Sequence, residues 1–138
     1  MIPSRTGNPA EATGAPIAPR LRFLSPRLHG LVDYTAAAGL VLFPLVLPLG
    51  GRNPLQIGLS VGAGVGLLLY SLVTDYRYAL ARRISFRGHL LLDALAGAAF
   101  LVLPSALGFD GFARLYYAAN GLAVLAAVVV SDASADDR

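Results

Sequence analysis

The sequence contains no cysteine, no tryptophan and no lysine, and only two histidines. Without cysteine, disulfides, thiolate metal centres and cysteine nucleophiles are all excluded. Charge is also scarce: 14% of residues are charged, against about a quarter in an ordinary soluble domain. Too few polar side chains remain to cover a water-facing surface. The net charge of +3 comes from arginine as the sole strong cation. These arginines sit beside apolar runs, so they read as topology determinants and contacts to anionic lipid, not as a nucleic-acid surface.

What the chain has instead is hydrophobic length. Of its 138 residues, 56% are hydrophobic, and the size allows one domain. Residues 1–21 are rich in Pro, Gly, Ala and Thr and hold no apolar run. They are expected to form a disordered tail, and nothing in them resembles the apolar core of a signal peptide. Four apolar segments follow, at about 28–47, 55–73, 88–107 and 112–130. Each is long enough to span a bilayer as a helix, and the short connections predict antiparallel neighbours. Asn53-Pro54 marks the start of the second helix, a capping residue followed by proline at the first helical position.

Arginine placement predicts the orientation. Arg5, Arg20, Arg22 and Arg27 precede the first span, and Arg77, Arg82, Arg83 and Arg87 lie between the second and third. The two opposite loops carry only Arg52 and Arg114. The positive-inside rule then puts both termini and the middle loop in the cytoplasm.

Displacing the sequence by sixty residues lays one half on the other. Arg22, Ser25, Arg27, His29, Asp33, Pro44 and Gly51 meet Arg82, Ser85, Arg87, His89, Asp93, Pro104 and Gly111. Apolar low complexity would align Leu and Ala by chance, but not Arg, His, Asp and Pro together. The reading is an internal duplication of a two-helix unit, 22–81 and 82–131, followed by a cytoplasmic tail, 132–138. Units with an even number of spans point the same way, so the fold class expected is an all-α integral membrane four-helix bundle of two tandem parallel hairpins. Thr74-Asp75 ends the second helix as Ser131-Asp132 ends the fourth.

The Arg-x-His-x-x-x-Asp start, the proline late in the same helix and Thr74-Asp75-Tyr76 after the next one together resemble the SPW-repeat family of bacterial integral membrane proteins. Leu103-Pro104-Ser105 with Gly108-Phe109, and Phe43-Pro44-Leu45, stand at the family's Ser-Pro-Trp position. The motif's Ser and Trp are absent from both copies. The resemblance covers roughly residues 22–131 and implies a four-helix protein of the bacterial inner membrane, with no established activity.

His29 and Asp33 are four residues apart, as are His89 and Asp93, so each pair stacks on one helical face near the cytoplasmic boundary. Arg27 and Arg87 lie just outside. Ionisable groups within a span face the protein interior and are candidate functional groups. The pairs can bond across helices and fix register, relay protons or a small solute, supply His29 and His89 as axial ligands of haem b with the arginines on its propionates, or hold a metal in an enzyme. No catalytic signature accompanies them. The expectation is therefore a non-enzymatic structural or accessory subunit without a cofactor, with transport and haem-linked electron transfer as alternatives. Its expected partners are the bilayer and either a second copy or a larger membrane complex. Gly58, Gly62 and Gly66 recur every four residues, a small-residue stripe expected to pack within the bundle or to mediate self-association. Tyr70, Tyr76, Tyr78, Tyr116 and Tyr117 read as interfacial anchors.

Overall fold

A computed structural model of the chain describes residues 21–47 and 53–134. The expected terminal tails therefore lie largely outside the described residues, as does the loop carrying Arg52. Four helices run in order: α1 Pro26–Val46, α2 Pro54–Leu72, α3 Phe86–Ala106 and α4 Gly111–Val130. Among the described residues there are two isolated bridges and no strand.

The starts of α1 and α3 fall two residues earlier than hydropathy suggests, for a local reason. Ser25 and Ser85 cap the two helices, their hydroxyls accepting from the amides of Leu28 and Gly88. Such a cap contributes about 1 kcal/mol, enough to extend the helix beyond its apolar stretch. Asn53 caps α2 in the same way, accepting from the amide of Leu55.

The first end of α1, the last of α2, the first of α3 and the last of α4 meet at one end of the bundle. The amides of Phe23 and Leu24 donate to the Val130 carbonyl, while those of Arg83 and Ile84 donate to Val73. Asp132 N donates back to Leu24 O, and Asp75 N to Ile84 O. The two halves thus close this end of the bundle by the same backbone pattern.

Within each hairpin the helices pack closely; between hairpins they touch far less. A Cβ on Gly64 would stand 2.8 Å from the Ala37 carbonyl and 2.9 Å from Leu40 Cβ, so glycine is what lets α2 approach α1. Gly121 plays this part between α4 and α3, where a Cβ would stand 2.8 Å from the Gly97 carbonyl. Pro44 has no N–H to offer the carbonyl of Leu40 one turn earlier. Ser60 of α2 takes the vacant acceptor, its Oγ donating to Leu40 O at 2.7 Å.

Two expectations are corrected here. Gly58 and Gly62 are exposed and do not pack within the bundle, and a Cβ on either would meet nothing within 4 Å. Gly66 makes no close contact either but lines an interior cavity among the helices. The buried face of α2 carries Gln56, Ser60, Gly64, Leu67 and Ser71, and Gly58 and Gly62 lie about two residues, over half a turn, away from it. Tyr116 and Tyr117 are buried rather than anchored at an interface. Tyr116 donates to Ser60 Oγ at 2.8 Å, and Tyr117 donates to the Gln56 carbonyl.

Large apolar side chains face outward on every helix, including Leu31, Leu69, Val102 and Leu122, each more than half exposed. All four helices are long and apolar enough to cross a membrane. An outward apolar surface with so small a polar interior needs hydrocarbon around it; this is a multi-pass membrane protein.

Candidate functional site

The buried histidines and aspartates lie near the starts of α1 and α3. His29 and His89 have no exposed surface, and Asp33 and Asp93 are almost as deeply buried. One nitrogen or oxygen from each of the four side chains falls within 4.8 Å of all the others. Helical geometry sets their depth, with Asp33 roughly 10 Å along α1 from Pro26 at 1.5 Å per residue.

The strongest pairings cross between hairpins. His29 Nε2 lies 2.9 Å from Asp93 Oδ2 and 3.3 Å from Asp33 Oδ1 on its own helix. His89 Nε2 lies 3.0 Å from Asp33 Oδ2 and 3.1 Å from Asp93 Oδ2. The two rings meet edge to face with centroids 5.2 Å apart, and both carboxylates lie against their Nε2 atoms.

The other ring nitrogens have assigned roles. Ser131 Oγ donates to the Ala127 carbonyl at 2.6 Å and lies 2.7 Å from His29 Nδ1. Thr74 Oγ1 donates to the Tyr70 carbonyl at 2.7 Å and lies 2.9 Å from His89 Nδ1. A hydroxyl has one proton, and in both cases it is committed to the carbonyl one turn back. Each Nδ1 must therefore carry a proton and donate it. That leaves both Nε2 atoms as the variable positions, turned toward the carboxylates. His89 Nε2 makes no hydrogen bond of good geometry despite its two close oxygens.

Tyrosines complete the carboxylate shell. Tyr70 donates to Asp93 Oδ1 at 2.5 Å, and Tyr76 to Asp33 Oδ2 at 3.3 Å. Tyr76 sits in the α2–α3 connection, 2% exposed, because Gly30 gives its ring room: a Cβ there would stand 2.9 Å from Tyr76 Cε2. Burial, reinforced by the Asp33 charge, raises the Tyr76 phenol above its ordinary range. Phe86 covers the cluster, edge-on to His29 at 5.2 Å and stacked on His89 at 6.2 Å.

The halves differ on the deeper side. Four residues before Thr74 stands Tyr70; four before Ser131 stands Ala127. A cavity of about 280 Å³ adjoins this point, lined by Asp33, Asp93, Tyr70, Asn120, Ala127 and otherwise apolar side chains. The carboxylates form its wall, and the histidines lie behind them.

Of the expected site residues, the structure brings His29, Asp33, His89 and Asp93 together. Arg27 and Arg87 are exposed and outside the cluster; Arg27 Nε donates to Tyr78 Oη at 3.3 Å. Tyr70, Tyr76, Thr74 and Ser131 belong to the site but were not anticipated there. The matched helix ends Thr74-Asp75 and Ser131-Asp132 carried the signal for two of them. Comparison with family models, with curated proteins and with solved structures finds no match.

Proposed function

We propose that this is a non-enzymatic structural or accessory protein of a bacterial inner membrane, whose His/Asp cluster clamps two duplicated parallel hairpins together. The observation that carries the reading is the crossing of partners. His29 to Asp93, His89 to Asp33, His29 to Ser131, His89 to Thr74 and Tyr70 to Asp93 all join one hairpin to the other, where helix packing alone is sparse. In hydrocarbon, polar groups buried this way hold helices that apolar burial cannot drive together. The paired backbone pattern at the helix ends supports the duplication, and the SPW-repeat kinship rests on the sequence motifs. Arginine placement supports cytoplasmic termini.

The test is copurification in mild detergent together with unfolding of His and Asp variants. An accessory subunit recovers a larger assembly, and a clamp loses stability in every variant of the cluster while the purified chain shows no turnover. Recovery of the wild-type chain alone, with cluster variants as stable as wild type, refutes the reading.

The cavity against Asp33 and Asp93 favours a second reading, movement of protons or a small solute. That reading requires flux in liposomes that Asp33→Asn or Asp93→Asn abolishes. For haem, the two rings would have to part; they meet edge to face at 5.2 Å with carboxylates against both Nε2 atoms, which favours a small centre over a macrocycle.

A further inference from the structure

We propose that His29, Asp33, His89 and Asp93 form a binding site for one divalent first-row transition ion of the zinc or ferrous type, with the two Nε2 atoms and one oxygen of each carboxylate as donors. The proposal rests on the clamp reading for its geometry and adds an occupant to it.

Three independent features converge. The first is the donor set. Two imidazoles and two carboxylates suit zinc, iron and their neighbours, whereas soft-metal sites need thiolate or thioether donors; the chain has no cysteine. The charge also balances, since two neutral imidazoles and two carboxylates around a divalent ion sum to zero, the least costly total inside a membrane.

The second is spacing. Donors at 2.0–2.2 Å around a tetrahedral ion stand about 3.3–3.6 Å from one another. Asp93 Oδ2 stands 2.9 and 3.1 Å from the two Nε2 atoms, and Asp33 offers Oδ2 at 3.0 Å from His89 or Oδ1 at 3.3 Å from His29. One donor atom from each of the four residues lies within 4.8 Å of the rest, and most of these pairs are a few tenths of an ångström tighter than that sphere. Small side-chain rotations separate them, and the cavity behind the carboxylates gives those rotations room.

The third is orientation. Metal-ligating histidines donate their other ring N–H to a fixed acceptor, which sets the tautomer and aims the bare nitrogen. Both histidines are held this way, by Ser131 and Thr74. His89 Nε2 is wholly buried and aimed into the cluster, 3.0 and 3.1 Å from carboxylate oxygens of Asp33 and Asp93 but without the alignment of a hydrogen bond to either. Tyr70 and Tyr76 hold the carboxylates as outer partners.

The test uses the full chain in mild detergent, washed with chelator and titrated with Co²⁺, then Zn²⁺. The expected result is one Co²⁺ per chain, with the intense visible bands of a low-symmetry four-coordinate ion, displaced by Zn²⁺. Asp93→Asn and His89→Asn should abolish those bands. Thr74→Ala and Ser131→Ala, which disturb only the outer partners, should weaken binding roughly 10–100-fold. Ser60→Ala, outside the site, should bind like wild type.

A wild-type chain that keeps its helical circular dichroism yet leaves Co²⁺ with its hydrated spectrum overturns the proposal, whatever the variants do. Stoichiometric binding that survives in Asp33→Asn/Asp93→Asn overturns it as well. Failure of the clamp reading looks different: metal-free His and Asp variants as stable as wild type, with Co²⁺ still bound by wild type and lost in those variants. That outcome supports the metal site and removes the clamp.

Discussion

His29 Nε2 lies 2.9 Å from Asp93 on the other hairpin, closer than the 3.3 Å separating it from Asp33 on its own helix. The stacking of His29 on Asp33 one turn away is thus the weaker of its two ion contacts. Coupling between hairpins should exceed coupling within a helix. A double-mutant cycle on His29→Ala and Asp93→Asn, read by denaturant unfolding in detergent, should give a larger interaction energy than the cycle on His29→Ala and Asp33→Asn. Each single change at Asp93 or His29 should cost about 3–5 kcal/mol, the loss found when one partner of a buried pair is removed. Equal coupling in the two cycles would remove the clamp's cross-hairpin character.

Tyr70 and Tyr78 give a paired comparison. The Tyr70 hydroxyl donates to a buried carboxylate at 2.5 Å, whereas Tyr78 meets Arg27 on an exposed surface at 3.3 Å. Tyr70→Phe should destabilise by about 1.5–3 kcal/mol, as expected for a hydrogen bond to a charged group. Tyr78→Phe should stay within about 0.5 kcal/mol of wild type. Unfolding midpoints of the two variants in one detergent decide the matter.

The glycines of α2 separate contact from pattern. Gly64→Ala drives a Cβ against the Ala37 carbonyl at 2.8 Å, backbone that cannot step aside, so the variant should lose about 1–3 kcal/mol to overpacking. Gly58→Ala and Gly62→Ala meet nothing within 4 Å and should gain up to about 1 kcal/mol of helix propensity. A loss at Gly62 comparable to that at Gly64 would restore the stripe as a packing face, between copies of the chain if not within one.

These contrasts show what the sequence could and could not disclose. The four spans were legible because length and hydropathy decide membrane helices almost alone. The His/Asp cluster was legible because polar side chains at one-turn spacing must share a face, and because Arg, His and Asp recurred together sixty residues on. Helix azimuth was not. When every face is apolar, periodicity no longer separates inside from outside, so Gly58, Gly62 and Gly66 looked like one seam although Gly58 and Gly62 face outward, Gly66 lines the cavity and Gly64 makes the helix contact. A tyrosine near a span's end looks the same whether its ring reaches the interface or turns inward. Tyr70, Tyr76, Tyr116 and Tyr117 turn inward because Asp93, Asp33, Ser60 and the Gln56 carbonyl wait there.

Tyr76 also makes a pH prediction. Its phenol is held neutral by burial and by the Asp33 charge, so its folded pKa lies above the unfolded value. The stability this contributes is fully present below the unfolded value near pH 10 and declines as pH rises toward the folded one, because the unfolded chain releases a proton that the folded chain keeps. Wild-type stability should therefore fall more steeply than that of Tyr76→Phe above about pH 10, by up to about 1.4 kcal/mol per pH unit for this one group. Parallel slopes in urea titrations at several alkaline pH values would place the phenol in contact with water.

The native chain has no cysteine, which makes the proposed orientation directly measurable. Single cysteines can be placed at Ala81, exposed in the α2–α3 connection, and at Asp110, the exposed residue before α4 whose side chain makes no capping bond. Neither change removes a contact that holds the bundle. If the arginine-rich connection is cytoplasmic, a membrane-impermeant maleimide added to intact cells should label Asp110→Cys at once and Ala81→Cys only after permeabilisation. The His/Asp cluster lies at the Ala81 end, so this outcome also means that an ion bound there arrives from the cytoplasmic side or through the bundle. The reverse labelling pattern would invert the topology and put the cluster at the outer face, where the positive-inside rule would have failed on eight arginines.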